Sequence, residues 1–200
     1  MTPEDVKRHF EETDALLTGH FKLSSGLHSD RYLQCAKVLQ WPARAQALGE
    51  ALAGKLREFG AQVVVSPAMG GLVIGQEVGR ALGLRTILAE RVGGAFTFRR
   101  GFEVEPGERI VVVEDVITTG KSTGEVLDLL KDRAAKPVVC CSVVDRRGEE
   151  RRRFGEEIAG LPVRSLLQLD VDTWDPSACP LCAAGVPLTA PGSRFLAKKD

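Results

Sequence analysis

Residues 109–123 read Arg-Ile-Val-Val-Val-Glu-Asp-Val-Ile-Thr-Thr-Gly-Lys-Ser-Thr, and this stretch predicts the fold. A β-branched run is typical of a buried strand, and a short Thr/Gly turn after the two acids opens a helix over 120–134. A helix start presents unpaired backbone N–H groups and a partial positive charge, which together favour a phosphate. Acids would repel a bare phosphate, so the pair predicts a ligand that also carries sugar hydroxyls. The segment therefore predicts a site for a phosphorylated ribose at the carboxyl end of a parallel strand.

Two other interpretations of this segment remain open. Gly120-Lys121-Ser122 nearly matches the end of a nucleotide-binding P-loop, but Asp115 stands where that loop has its first glycine. A strand followed by a capped helix, with no ligand, would explain the turn. It would not explain why two acids end a buried strand.

The alternation of strand and helix continues on both sides of this segment. Apolar runs predict further core strands at 62–66, 85–89, 137–144 and 164–169. Helices are predicted at 3–17, 42–59 and 70–82. Extended chain around a turn is predicted at 19–34, a loop or hairpin at 91–107, and an irregular tail at 175–200. Apolar strands separated by helices predict an α/β fold with a parallel sheet covered on both faces.

The composition of the chain limits its function. The 200 residues are 44% hydrophobic and 27% charged, as in one soluble globular domain. Basic and acidic residues balance at 27 each, so no global charge favours nucleic acid or a membrane surface. The apolar runs are too short to cross a bilayer, and the N-terminus lacks a signal-peptide core. Five cysteines without a framework spacing are expected to be reduced, so we expect a cytoplasmic protein.

Three blocks of this sequence resemble the orotate phosphoribosyltransferases, which belong to the type I phosphoribosyltransferases. They are residues 111–123, the segment Phe21–Tyr32 and Asp145-Arg146-Arg147, in the order in which that family carries them. The tail from Cys179-Pro-Leu-Cys182 to Pro191-Gly-Ser-Arg194 resembles that of a bacterial branch of the family. The similarity implies a single domain over 1–200 with the type I fold, a central parallel sheet flanked by helices. It places the core at 60–170 and a small hood in 1–40 and part of the tail.

The resemblance also implies an activity. It implies transfer of phosphoribosyl from phosphoribosyl pyrophosphate to orotate, giving orotidine 5′-phosphate and pyrophosphate in de novo pyrimidine (UMP) biosynthesis. It implies Mg²⁺ as cofactor, held mainly through the substrate without dedicated protein ligands, and a homodimer without nucleic acid or membrane partners. Transfer to a purine or another base, and a non-catalytic regulator that senses phosphoribosyl pyrophosphate, remain alternatives.

The resemblance assigns site residues by matching positions. Those expected to bind phosphoribosyl pyrophosphate are Arg91, Ala68, Met69, Gly70, Gly71, Glu114, Asp115, Val116, Ile117, Thr118, Thr119, Gly120, Lys121 and Ser122. Those expected to contact orotate are Thr118, Arg146, Arg31 and Tyr32. Those expected to act in catalysis are Glu114, Asp115, Arg99 and Arg100.

The chain departs from the family pattern in its basic residues. Gly70 stands where the family often has a lysine, and Val92 replaces the lysine that usually follows the loop arginine. No lysine or histidine lies between residues 91 and 120, but Arg99 and Arg100 could supply positive charge for the leaving pyrophosphate. Arginine stays protonated, so we expect electrostatic stabilisation by this loop and no acid catalysis.

The remaining cysteine and histidine motifs carry weaker signals. Cys179 and Cys182 have the spacing of half a zinc site, but no second close pair follows them in the sequence. A complete zinc site within one chain is therefore not expected, although two tails in a dimer could complete one. His20 and His28 lack the spacing of a helical metal pair and are expected to be surface or hood residues.

Overall fold

The computed structural model describes residues 1–23, 25–148, 155 and 157–191. The helices are α1 (Pro3–Glu11), α2 (Cys35–Leu39), α3 (Pro42–Leu56), α4 (Gly71–Leu82), α5 (Lys121–Asp132) and α6 (Pro180–Ala183). The strands are β1 (Leu16–Lys22), β2 (His28–Leu33), β3 (Val63–Pro67), β4 (Arg85–Val92), β5 (Ala95–Phe98), β6 (Arg109–Ile117), β7 (Lys136–Asp145), β8 (Glu157–Ile158), β9 (Leu161–Gln168) and β10 (Thr173–Trp174). Short 3₁₀ helices lie at Arg57–Phe59 and Pro176–Ala178.

The central sheet has seven strands in the order β5-β4-β3-β6-β7-β9-β8. The five inner strands are parallel, and the edge strands β5 and β8 are antiparallel to their neighbours. Successive residues of β6 point to opposite faces, so Val111 packs in the core that contains α3 and α4, whereas Val112 packs in the core that contains α5. The predicted parallel sheet with helices on both faces is confirmed.

These core elements were predicted correctly from the sequence, but several of the residues at which they begin or end were not. The first helix stops at Glu11, not at residue 17, because Asp14 takes a left-handed backbone with φ of 52° and the chain turns into β1. β6 continues to Ile117, because its ladder with β7 runs on to the pair Ile117–Asp145. β8 and β10 were not predicted, since a strand of two residues is too short to show an alternation of apolar and polar residues.

A second sheet of three strands, in the order β1-β2-β10, forms the hood. The tail also runs along β1, where Thr189 accepts from the Lys22 N–H and donates to the His20 carbonyl, each over 2.8 Å. These contacts join the two ends of the chain.

The hood also corrects an expectation about the Cys179–Cys182 pair. His20 and His28 are buried hood residues, as expected, but their ring nitrogens lie beside the two sulfur atoms. The sequence has no second close pair of such ligands, but strand pairing brings His20 and His28 to the two cysteines from far away in the chain. Within the described residues, no helix is both long and apolar enough to cross a membrane.

Candidate active site

A cavity of about 520 Å³ lies at the carboxyl ends of β3 and β6, against the first turn of α5. It is lined by residues of the two strand ends, the turn and the β4–β5 hairpin: Pro67, Ala68, Gly70, Arg91, Phe96, Glu114, Asp115, Val116, Ile117, Thr118, Thr119, Gly120, Lys121, Ser122 and Thr123. All nine predicted residues from Glu114 to Ser122 therefore border one cavity. Phe96 was not predicted, because an apolar residue in a hairpin gives no functional signal.

The turn between β6 and α5 forms the anion-binding end of this cavity. Gly120 has φ of 76°, a left-handed backbone that favours glycine, and it starts α5 without a side-chain cap. The Lys121 N–H has a partner in Thr119 Oγ1 at 3.3 Å. Among the described residues no side chain caps the start of this helix, and the helix dipole adds partial positive charge there. These features make the turn a candidate site for a phosphate.

Two carboxyl groups at the carboxyl end of β6 line the same cavity. Glu114 is 7% exposed, and its burial, reinforced by the charge of Asp115 and opposed by Arg91, raises its pKa from 4.5 to about 8. Burial also raises the pKa of Asp115, although the Val116 N–H donates to Asp115 Oδ1 over 2.9 Å and opposes the rise. Among the described residues neither carboxyl makes an ion pair within 4.0 Å. Buried carboxyl groups without such a partner are typical of functional sites.

The predicted pyrophosphate loop reaches the same cavity, but only through part of its length. Ala68 and Gly70 line it, whereas Met69 is 80% exposed outside it and Gly71 packs on the Val113 carbonyl. A Cβ atom at residue 70 would lie 2.7 Å from Asp115 Oδ1. Glycine at this position thus lets the loop approach the acid closely, where a lysine would have to displace it.

The predicted arginines of the hairpin divide into two groups. Arg91 lines the cavity, forms an ion pair with Glu125 and lies 4.1 Å from the Phe96 ring centroid. Arg99 and Arg100 do not line the cavity of their own chain. They pair with Glu90 at 3.6 and 2.7 Å, and their side chains are 58% and 70% exposed.

The two arginines of the Asp145-Arg146-Arg147 block have different environments. Arg147 is buried and forms an ion pair with Asp145 at 2.9 Å, and its Nη1 also donates to the Glu157 carbonyl. Arg146 follows the end of β7, where its N–H donates to the Ile117 carbonyl over 2.7 Å. Its Nε is buried and has no hydrogen-bond partner among the described residues. Burial lowers the pKa of this guanidinium, so an anionic partner would be favoured.

The hood residues expected to contact orotate do not line the cavity. Arg31 Nε lies 3.6 Å from Asp30 Oδ2, and the Tyr32 ring packs on the Phe21 ring with centroids 5.8 Å apart. β2 then leads into Cys35, a buried residue whose thiol donates to the Asp115 carbonyl over 3.8 Å. A lone cysteine carries no functional signal in a sequence, so this contact was not predicted.

Comparisons with known proteins identify the family. Residues 34–159 match the model described as the phosphoribosyl transferase domain. The chain is 47% identical over 191 residues to the orotate phosphoribosyltransferase of Thermotoga maritima, covering 96% of this chain and 99% of that protein. It is 46% identical over 194 residues to that of Chlorobaculum parvum, covering 97% of each. The chain belongs to the orotate phosphoribosyltransferase family.

Solved structures of related phosphoribosyltransferases share the fold. The orotate phosphoribosyltransferase from Aeropyrum pernix superposes with a TM-score of 0.67 at 24% identity, covering 82% of this chain and 93% of that one. An adenine phosphoribosyltransferase from Thermoanaerobacter pseudethanolicus has a TM-score of 0.59 at 16% identity, covering 70% of this chain and 88% of that one. The type I phosphoribosyltransferase fold implied by the sequence blocks is confirmed. The orotate phosphoribosyltransferase family shares this fold with transferases that use another base.

Proposed function

We propose that this chain transfers the phosphoribosyl group of phosphoribosyl pyrophosphate to orotate, giving orotidine 5′-phosphate and pyrophosphate for de novo pyrimidine (UMP) synthesis. One observation carries the proposal. Two adjacent acids, one buried and one half-buried, line one cavity together with a helix start that has no side-chain cap, in a chain 47% identical to the orotate phosphoribosyltransferase of Thermotoga maritima. The acids suit a sugar diol and the helix start suits its phosphate, so the cavity accommodates both ends of the donor.

The phosphoribosyl group binds along the turn. The 5-phosphate accepts from the backbone N–H groups at the start of α5 and from the hydroxyls of Thr118, Thr119 and Ser122. The ribose hydroxyls contact Glu114 and Asp115. Because the pKa of Glu114 is about 8, its carboxyl is largely protonated at neutral pH before the substrate binds. It can then donate to a ribose oxygen or, once ionised, accept from a hydroxyl.

The pyrophosphate end lies over the loop of Ala68 and Gly70. Arg91 and Lys121 line the same cavity and supply positive charge from the same chain. Arg99 and Arg100 are exposed, so in a homodimer they reach the pyrophosphate of the neighbouring subunit, after exchanging Glu90 for the substrate. Arginines in this role stabilise charge on the leaving group without transferring a proton.

The donor set of the cavity fits a Mg²⁺ ion that shares its ligands with the substrate. Glu114 and Asp115 would hold it, together with oxygens of the bound sugar and pyrophosphate, as is usual where Mg²⁺ has few protein ligands. When bound, the ion supplies positive charge beside the pyrophosphate.

The base binds between Arg146 and the hood. The guanidinium of Arg146 has a buried Nε without a hydrogen-bond partner in the described part of the chain, and a carboxylate such as that of orotate would satisfy it. Thr118 borders the same end of the cavity, and Arg31 and Tyr32 close over the base from the hood. The ring nitrogen of orotate attacks C1 of the ribose as the bond between that carbon and the pyrophosphate oxygen breaks, so that pyrophosphate leaves and the proton of the nitrogen passes to solvent. Asp115 stabilises the positive charge that develops on the sugar. We also propose that the enzyme works in the cytoplasm.

A panel of bases tests this proposal. The chain is mixed with Mg²⁺, phosphoribosyl pyrophosphate and one of orotate, uracil, adenine or hypoxanthine, and pyrophosphate release is measured. We expect release with orotate and at most traces with the other bases. Release only with a purine would overturn the orotate assignment. Tight binding of phosphoribosyl pyrophosphate without release from any base would instead support a sensor.

A further inference from the structure

Four side chains with soft or imidazole donors meet outside the active site. His20 of β1, His28 of β2, and Cys179 and Cys182 on either side of the start of α6 point one donor atom each to a common centre. These four donor atoms all lie within 4.8 Å of one another. We name these residues the hood cluster, and we propose that they bind one Zn²⁺ ion.

The spacing of the donors matches tetrahedral coordination. With Zn–N near 2.0 Å and Zn–S near 2.3 Å, tetrahedral geometry places two nitrogens about 3.3 Å apart and a nitrogen and a sulfur about 3.6 Å apart. His20 Nε2 and His28 Nδ1 are 3.0 Å apart. The sulfurs of Cys179 and Cys182 lie 3.5 and 3.7 Å from His20 Nε2, and that of Cys182 lies 3.3 Å from His28 Nδ1. These four separations lie within a few tenths of an ångström of the tetrahedral values, and the other two donor pairs, Cys179–His28 and Cys179–Cys182, lie within 4.8 Å.

A hydrogen bond fixes the tautomer that a metal needs. His20 Nδ1 lies 2.8 Å from the Val186 carbonyl, which can only accept, so Nδ1 carries the proton. In the neutral ring Nε2 then has a free lone pair, and it is this atom that points into the cluster. Metal-bound histidines commonly orient their second nitrogen in this way. The tail therefore contributes an orienting carbonyl in addition to two ligands.

The donor set favours zinc over other common divalent ions. Two thiolates and two imidazoles in tetrahedral array are typical of structural Zn²⁺, whereas Mg²⁺ and Ca²⁺ prefer oxygen. All four positions are filled by protein, so no site is left open for catalysis. His20, His28 and Cys179 are buried, while Cys182 is exposed and offers an entry path for the ion.

The position of the hood cluster indicates what the ion would do. His20 and Cys179 are 159 residues apart in sequence, so the ion would link the first hood strand to the tail. The hood sheet has only three strands, one of them two residues long, and such small sheets are marginal without a further link. Zinc would hold β2 in place, and β2 carries the proposed orotate contacts Arg31 and Tyr32. The site is therefore structural and supports the proposed base pocket from a distance.

Elemental analysis of the chain purified without a histidine tag tests the proposal. We expect about one equivalent of zinc per chain in the wild type and a loss of most of it in Cys179→Ser/Cys182→Ser. Cys140→Ala and His9→Gln are matched controls outside the cluster, and both should retain the metal. Removing zinc with a strong chelator should lower Tm in the wild type, and adding zinc back should restore it.

Cobalt substitution keeps the test decisive if the double variant fails to fold. Wild-type protein loaded with Co²⁺ should show the intense visible bands of tetrahedral cobalt and a thiolate-to-metal charge-transfer band. Wild-type protein that holds no zinc after zinc supplementation, or that shows no such cobalt spectrum, would overturn the proposal. So would a Cys179–Cys182 disulfide in protein purified under reducing conditions. None of these measurements depends on which base is transferred, so the zinc proposal and the orotate assignment can fail separately.

Discussion

The carboxyl end of β6 and the segment that follows β5 were both assigned catalytic residues from sequence, and their environments differ. β6 places Glu114 and Asp115 in a cavity without ion-pair partners among the described residues. In the segment after β5, Arg99 and Arg100 are exposed and paired with Glu90. The acids are held by the backbone of a strand, whereas the arginines are long side chains that can exchange one anionic partner for another. The comparison indicates that the acids are preorganised and that the arginines must rearrange to act.

Asp115→Asn gives the largest expected effect. We expect kcat to fall by about 100-fold or more, because a preorganised charge at the reacting sugar is lost while the side-chain volume is kept. Steady-state kinetics and a melting curve check this result. Asp128→Asn, an exposed acid on α5, is the matched control and should leave kcat unchanged. Full turnover in Asp115→Asn would contradict the conclusion that the acids of β6 are preorganised for catalysis.

Arg146→Ala should act on substrate binding. We expect KM for orotate to rise by roughly 10- to 100-fold, since a charge-assisted hydrogen bond contributes about 1.5–3 kcal/mol. Arg146→Lys should recover only part of the loss, because an ammonium lacks the planar fork. An unchanged KM for orotate with a raised KM for phosphoribosyl pyrophosphate would mean that Arg146 contacts phosphoribosyl pyrophosphate and not orotate.

The double variant Arg99→Ala/Arg100→Ala tests the role of the two arginines that follow β5. We expect kcat to fall by about tenfold, a smaller loss than for Asp115→Asn, because exposed charges are screened by solvent. Glu90→Gln is the informative partner variant, since it releases both arginines without removing them. If Glu90→Gln lowers kcat as much as the double variant does, the ion pairs, and not the arginine charges, are what activity requires.

Glu114→Gln gives the smallest expected effect, in thermal stability. The pKa of Glu114 is raised from 4.5 to about 8, so its stabilising contribution is full below pH 4.5 and is lost as pH rises through 8. The variant keeps a neutral side chain at all pH values, so its Tm relative to the wild type should rise by roughly 2–6 °C between pH 5 and pH 9. Glu58→Gln, on the exposed surface, should show no such trend. A flat difference for Glu114→Gln would mean that the carboxyl ionises freely in the folded state.

The sequence by itself determined the parallel sheet and the turn to which we assign the phosphate. Both depend on contiguous residues, since a buried strand, two acids and a helix start follow one another within 109–123. Such segments are set by local propensity and by the fixed geometry of strand and helix ends.

Only the tertiary structure decided which side chains meet. It paired Arg147, and not Arg146, with the nearby Asp145, and it set Gly70 against Asp115 from another strand end. It also brought His20 to Cys179 from the other end of the chain. Such contacts depend on strand register and on how the tail crosses the hood, and neither leaves a periodic pattern in the sequence.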